Sequence, residues 1–150
     1  MEIALRSDED EICRAAEAVE SLCPTAGFSR QRCEDVRVAV LEALSNAMTH
    51  AHGSRSEVPI LVRAAVAGTS LLVEIRDHGS GPPLIPPEPN LAKKLTGAET
   101  PRGWGIHLMR MLASEVEFRV DHRGHTVRLR FEAARPAALA PASIRSEPAV

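Results

Sequence analysis

Glu42-Ala43-Leu44-Ser45-Asn46-Ala47-Met48-Thr49-His50-Ala51 places a carboxylate, an amide and an imidazole at successive spacings of four. At about 3.6 residues per turn, those three side chains line one edge of a helix. From Arg30 to Ala51 the chain contains no Gly or Pro, and Ser29 offers a hydroxyl cap, so a long central helix is expected there. On its wheel Val36, Val40, Leu41, Leu44, Ala47, Met48 and Ala51 fill one arc. Asp35, Glu42, Asn46 and Thr49 gather opposite, with His50 beside them. One face is expected to pack and the other to be free to bind. Taken alone, such a polar row is as readily a solvated helix face.

Before this helix, residues 2–6 alternate weakly, as a short edge strand would. Ser7 stands before Asp8, Glu9, Asp10 and Glu11, a cap followed by first-turn acids, and predicts a helix to about Leu22 that ends at Pro24 and Gly27. After it, Gly53 is a natural stop. Residues 58–67 and 70–76 are aliphatic and β-branched around Ala67-Gly68-Thr69, which predicts a hairpin. A third helix is expected from Gly103 and Gly105 to about Ser114, and a second hairpin from Val116–Val120 and Thr126–Phe131 around His122-Arg123-Gly124.

The stretch from Asp77 to Pro101, with Pro82, Pro83, Pro86, Pro87 and Pro89, is too long for an ordinary connection and reads as a functional loop. From Ala133 onward the composition turns to Ala, Pro and Ser and lacks the apolar mass to fold, so residues 133–150 are expected to be a disordered tail behind one domain over residues 1–132. The 150 residues, 44% hydrophobic, suffice for one core.

A net charge of -2, three Phe, one Trp and no Tyr argue against a nucleic-acid partner. Cys13, Cys23 and Cys33, ten apart and odd in number, suit neither a disulfide framework nor zinc ligation; reduced thiols in a cytoplasm are expected. No apolar run approaches the roughly 18 residues of a spanning helix, so no membrane partner is expected.

Two further stretches carry chemistry. Asp77-His78-Gly79-Ser80-Gly81 follows a strand; it is either a tight turn or a carboxylate placed to accept from an exocyclic amine such as that of adenine, with glycines allowing close backbone approach. Arg102-Gly103-Trp104-Gly105-Ile106 puts glycines at a helix start, either as flexible punctuation or as backbone N–H groups facing an anion. Neither a Rossmann fingerprint nor a P-loop is present. Within the helix row, Asn46 has a hard oxygen suited to Mg²⁺, and Glu42, one turn away, can accept a proton. His122 and His125 flank a turn and do not make a convincing metal site.

In this order, and with a proline-rich segment between the second and third, the motifs resemble the GHKL ATPase superfamily. Residues 42–51 look like its N box, residues 77–81 like its G1 box and Gly103-Trp104-Gly105-Ile106 like its G2 box. Gly124-His125-Thr126 resembles the late segment whose Thr helps to hold adenine. Trp104 is bulkier than that G2 position usually carries. Within the superfamily the chain looks most like the small serine protein kinases that act as anti-sigma factors, through its Glu-Ala-x-x-Asn-Ala-x-x-His pattern and the run from Gly105 to Glu117.

The resemblance implies the histidine-kinase-like ATPase fold: an α/β two-layer sandwich, its mixed, mostly antiparallel sheet covered on one face by about three helices. It implies ATP and Mg²⁺ as cofactors, a sigma factor and an anti-anti-sigma substrate as partners, and a homodimer. Glu42 becomes the general base, Asn46 the Mg²⁺ ligand and Asp77 the adenine reader. Gly79, Gly81, Arg102, Gly103, Gly105 and Thr126 become nucleotide contacts. His50 is divided between phosphate contact and a structural role. Two alternatives stand beside the serine/threonine kinase: a non-catalytic ATP-binding switch and a histidine-kinase-type catalytic module.

Overall fold

In the computed structural model, residues 1–6, 8–51, 58–78 and 104–134 are described here, the side chains of His50 and Ala51 excepted. Gly79, Gly81, Arg102 and Gly103, the proline-rich segment, the proposed caps Ser7 and Gly53, and the tail beyond Ala134 lie outside the described residues.

The elements run β1 (Glu2–Leu5), α1 (Glu9–Glu20), a 3₁₀ turn (Cys23–Ala26), α2 (Arg30–Ala51), β2 (Ile60–Ala67), β3 (Ser70–Asp77), α3 (Trp104–Leu112), β4 (Glu115–Asp121) and β5 (Gly124–Glu132). The strands form one sheet in the order β1-β2-β3-β5-β4. Every pairing among them is antiparallel, so the expected mixed character is absent among the described strands. The chain leaves β3 at Asp77, and β4 takes the far edge so that β5 can return beside β3.

Local chemistry explains the elements. Asp8 caps α1, its carboxylate accepting from the N–H groups of Asp10 and Glu11 at 3.0 and 3.2 Å, in place of the expected Ser7 cap. Gly27, with φ +75°, closes the 3₁₀ turn in a conformation other residues rarely adopt. Ser29 caps α2 as expected, its Oγ accepting from Arg32 N–H at 3.2 Å. The last turn of α3 is shorter than predicted; Ser114 instead donates its backbone N–H to Arg130 at 2.8 Å and its Oγ accepts from Glu132 N–H at 3.1 Å, tying the helix exit to β5.

The period-two pattern assigns the sheet faces. Val62, Ala64, Leu71, Val73, Ile75, Val127, Leu129 and Phe131 are buried under the helices. Leu72, Glu74, Arg128 and Arg130 face the opposite way, where Arg128 pairs with Glu74 at 2.7 Å and Arg63 with Glu2 at 2.8 Å. A shallow depression of about 820 Å³ on this open face, bordered by Arg63, Leu72, Glu74 and Arg128, is lined by none of the predicted site residues.

The helix layer meets the sheet through Ile12, Ala16 and Val19 of α1, Val36, Val40, Ala43, Leu44 and Ala47 of α2, and Ile106, Met109 and Leu112 of α3. Fully burying a side chain of this size contributes about 1.5–3 kcal/mol, so α2, with its apolar side inaccessible along its length, is the principal core element. The expectation of a free opposite face on α2 is corrected. Asp35 is 5% exposed and Ala39 fully buried, because α3 packs against that side.

Candidate functional site

Glu42 and Asn46 sit one turn apart on α2, both half-buried. Their immediate neighbour is Gly105, the second residue of α3. A Cβ built on Gly105 would lie 2.6 Å from Glu42 Oε2 and 3.4 Å from Asn46 Nδ2. Real Cβ atoms essentially never approach an oxygen that closely, so the missing side chain is what lets the two helices converge on these polar groups. Three residues from two of the sequence motifs are thereby brought to one place. Trp104, 38% exposed, lies at the start of α3 with its ring edge-on to His107 at 5.9 Å. The backbone of His50 continues the same helix, while its side chain is outside the description.

A second cluster lies where the chain leaves β3. Asp77 is 2% exposed, yet carries a carboxylate, and the register sets it opposite His125 of β5. His125 is itself 3% exposed, and its Nδ1 stands 3.3 Å from Asp77 Oδ2. An ionised carboxylate only accepts, so Nδ1 carries the proton and donates. Phe118 of β4 stacks on the imidazole, centroids 6.0 Å apart and planes 20° from parallel. His125 Nε2 is buried and has no hydrogen-bond partner among the described residues. Gly124, at φ +127°, lets the β4–β5 turn press directly on the backbone of Asp77 and His78, where a Cβ would overlap the Asp77 carbonyl.

Thr126, 8% exposed, pairs in register with Arg76, one position from the Asp77–His125 pair. His125 is the residue that meets Asp77. The signal was in the sequence: Val127, Leu129 and Phe131 are the apolar phase of β5, and stepping back by two reaches His125.

Arg32 is a further residue whose importance is not visible from motifs. It is 2% exposed and donates from Nε to the Glu132 carbonyl at 2.9 Å and from Nη1 to the Leu112 carbonyl at 2.5 Å. Nη1 also lies 3.4 Å from Asp35 Oδ2, and the guanidinium stands over the rings of Phe131 and Phe28 at 5.6 and 6.0 Å. One side chain thus clamps the exits of α3 and β5 to α2. Cys23 and Cys33 are buried neighbours, and burial, reinforced by Cys33, pushes the Cys23 thiol up to about 12.

The donor sets suit a magnesium nucleotide. Mg²⁺ is usually held by one or two protein oxygens, with phosphate and water completing its shell, and Asn46 beside Glu42 is such a minimal set. Among the described residues no cluster of three or more His, Cys, Asp or Glu forms a richer metal cage. The buried acceptors Asp77 and His125 suit the amine of a base rather than an anion.

The chain matches the family of the histidine kinase-like ATPase domain over residues 5–131. It belongs to that family. Among curated proteins it is similar to the serine-protein kinase RsbW of Listeria monocytogenes serotype 4a, 28% identical over 108 residues that make up 69% of each chain. The serine-protein kinase RsbW of Listeria innocua serovar 6a is similar to the same extent. Among solved structures, that of the RsbU and RsbW domains of Rv1364c from Mycobacterium tuberculosis superposes with a TM-score of 0.65 at 20% identity. That match covers 93% of this chain but 34% of the mycobacterial one, and it establishes the fold. No helix among the described residues is long and apolar enough to cross a membrane.

Proposed function

We propose that this chain is an ATP-dependent serine/threonine protein kinase that restrains a sigma factor and phosphorylates an anti-anti-sigma partner. The observation that carries the reading is the approach of Gly105 to Glu42 and Asn46, which assembles a carboxylate and an amide at a helix start, in a chain similar to serine-protein kinases. Residues 1–132 act as one ATP-binding domain with residues 133–150 as its tail, in the cytoplasm and as a homodimer.

In this reading Asp77 orients the base, Asn46 holds Mg²⁺ through its amide oxygen, and Glu42 accepts the proton from the attacking hydroxyl of the substrate. Bound Mg²⁺ supplies neutralisation of the phosphate charge. Phosphoryl transfer asks for positioning and electrostatics more than covalent participation, so this small set of groups is sufficient. Gly79, Gly81, Arg102 and Gly103 are assigned to the nucleotide from the sequence motifs, and His50 to the phosphates.

The test is transfer of labelled γ-phosphate from ATP to candidate anti-anti-sigma proteins, followed by phosphoamino-acid analysis. Acid-stable phosphoserine or phosphothreonine supports the proposal. Tight ATP binding without transfer to any candidate partner identifies a non-catalytic switch instead, and acid-labile phosphohistidine identifies the histidine-kinase chemistry.

A further inference from the structure

Two of the three thiols meet inside the fold. Gly27, left-handed at φ +75°, reverses the chain and brings the first turn of α2 back against the 3₁₀ turn. Phe28 ties the two together: its N–H donates to the Cys23 carbonyl at 3.2 Å, and its own carbonyl accepts from the Cys33 thiol at 4.0 Å. The Cys23 thiol in turn donates to Cys33 Sγ. Cys23 is fully buried, whereas Cys33, 9% exposed, lines a surface depression of about 470 Å³ together with Glu20, Phe28 and Arg30. A small solute in that depression meets Cys33 before Cys23. A buried cysteine by itself is a small apolar side chain, but two thiols in contact beneath an opening are also a pair that can couple.

We propose that Cys23 and Cys33 are a redox couple that hydrogen peroxide closes to a disulfide, with Cys33 reacting first and Cys23 resolving. In the first step the Cys33 sulfur attacks one peroxide oxygen. An S–O bond forms, the O–O bond breaks, and the departing hydroxyl leaves as water with the thiol proton, giving the sulfenic acid. In the second step the Cys23 sulfur attacks that sulfenic sulfur. The S–S bond forms, the S–O bond breaks, and the leaving hydroxyl takes the Cys23 proton as a second water. The two thiols give up two electrons and the peroxide gains them. The hydrogen bond already aims the Cys23 proton at Cys33, where the hydroxyl leaves. Because buried Cys23 holds that proton tightly, closure is slow, taking minutes to hours.

The disulfide shuts a loop of about eleven residues and staples the 3₁₀ turn to α2, the helix that carries Glu42 and Asn46. Restricting the unfolded chain by a loop of that length favours the fold by up to about 100-fold. Closure also removes the S–H that the Phe28 carbonyl accepts, next to the ring over which the Arg32 guanidinium lies. In a reducing compartment such a bond forms transiently and reports oxidant rather than building the fold. Cys13, exposed on α1, lies outside the pair. None of this depends on the nucleotide reading.

The experiment treats the full chain carrying Cys13→Ser with hydrogen peroxide, blocks the remaining thiols with N-ethylmaleimide after unfolding, and maps the cysteine peptides by mass. Both thiols are expected to disappear together as one intramolecular Cys23–Cys33 link that dithiothreitol reverses. The oxidised chain is expected to unfold at higher urea than the reduced one, its folding equilibrium constant raised by up to about 100-fold. In Cys23→Ala, Cys33 is expected to stop as a sulfenic acid that dimedone traps; in Cys33→Ala, Cys23 is expected to stay unoxidised. Thiols that resist peroxide in the fold but react in urea overturn the inference. So do oxidation of Cys33 to sulfinic acid with Cys23 intact, a link only between molecules, and a link that leaves the urea midpoint unraised. Should either alanine variant fail to fold, the peptide map and the urea midpoint of the Cys13→Ser chain decide, since they need no change at the pair.

Discussion

Gly105 on α3 approaches Glu42 on α2 so closely that a methyl group there would stand 2.6 Å from Oε2. What it would strike is the tip of a flexible side chain rather than backbone, so the helix can accept Ala while the carboxylate must move. Gly to Ala inside a helix favours folding by about 1 kcal/mol. Gly105→Ala is therefore expected to keep or raise the melting temperature and to lower phosphate transfer by at least about tenfold, the effect of misplacing a reacting group. Paired melting and transfer assays check this; a stable variant with full activity would remove Glu42 from the reaction.

Glu42→Gln tests the same carboxylate directly. A positioned general base contributes about 10²- to 10⁴-fold, so transfer should fall by that much with ATP affinity retained. Single-turnover transfer and equilibrium binding on the same preparation separate the two quantities.

Asn46→Ala should uncouple nucleotide binding from the metal. ATP affinity of the native chain is expected to drop when EDTA removes Mg²⁺, whereas the variant should bind ATP weakly and equally with or without the ion. A variant whose affinity still responds to Mg²⁺ would place the ligand elsewhere.

Arg32→Met removes the clamp on Leu112 and Glu132 and leaves the Asp35 carboxylate, 5% exposed, without the guanidinium beside it. Breaking a buried pair in this one-sided way costs about 3–5 kcal/mol. Urea unfolding should show the loss, and Arg32→Met with Asp35→Leu should recover part of it.

The Cys23 thiol gives stability a pH dependence of definite sign. In the unfolded chain it ionises near its ordinary value of 9, whereas burial and then Cys33 hold its proton to about 12 in the fold. Between those values the folded state binds more protons, so stability falls as pH rises through this window and the thiol contributes no slope below it. Unfolding midpoints from pH 8.5 to 11 should decline more steeply for the native chain than for Cys23→Ala. Coincident curves would show that the thiol ionises freely in the fold.

The sequence was most legible where one physical pattern acts alone. The Gly- and Pro-free run to Ala51 and the alternation of Val73, Ile75, Val127 and Leu129 specify helix and strands, and both hairpins follow from their glycine turns. It was less legible where two elements share one surface. Nothing in the wheel of α2 tells that α3 covers the Asp35 side, or that Arg32 comes to lie beside that carboxylate. The motif names Thr126, while the strand register adds that its neighbour His125 stands opposite Asp77. Gly79, Gly81, Arg102 and Gly103, assigned to the nucleotide from motifs alone, lie outside the described residues.

The Arg32 clamp also sets how α3 can transmit motion. Its exit is held by the Leu112 carbonyl and by Ser114, while Gly105 stands at the opposite end, so any tilt about that anchored exit would be largest at Gly105. Seven residues of helix make an arm of about 10 Å, on which a tilt of about 10° carries Gly105 through roughly 2 Å. That travel is comparable to the gap between contact and separation at Glu42. Loosening Arg32 is therefore expected to be felt at the Glu42 carboxylate, although Arg32 touches the other end of α3.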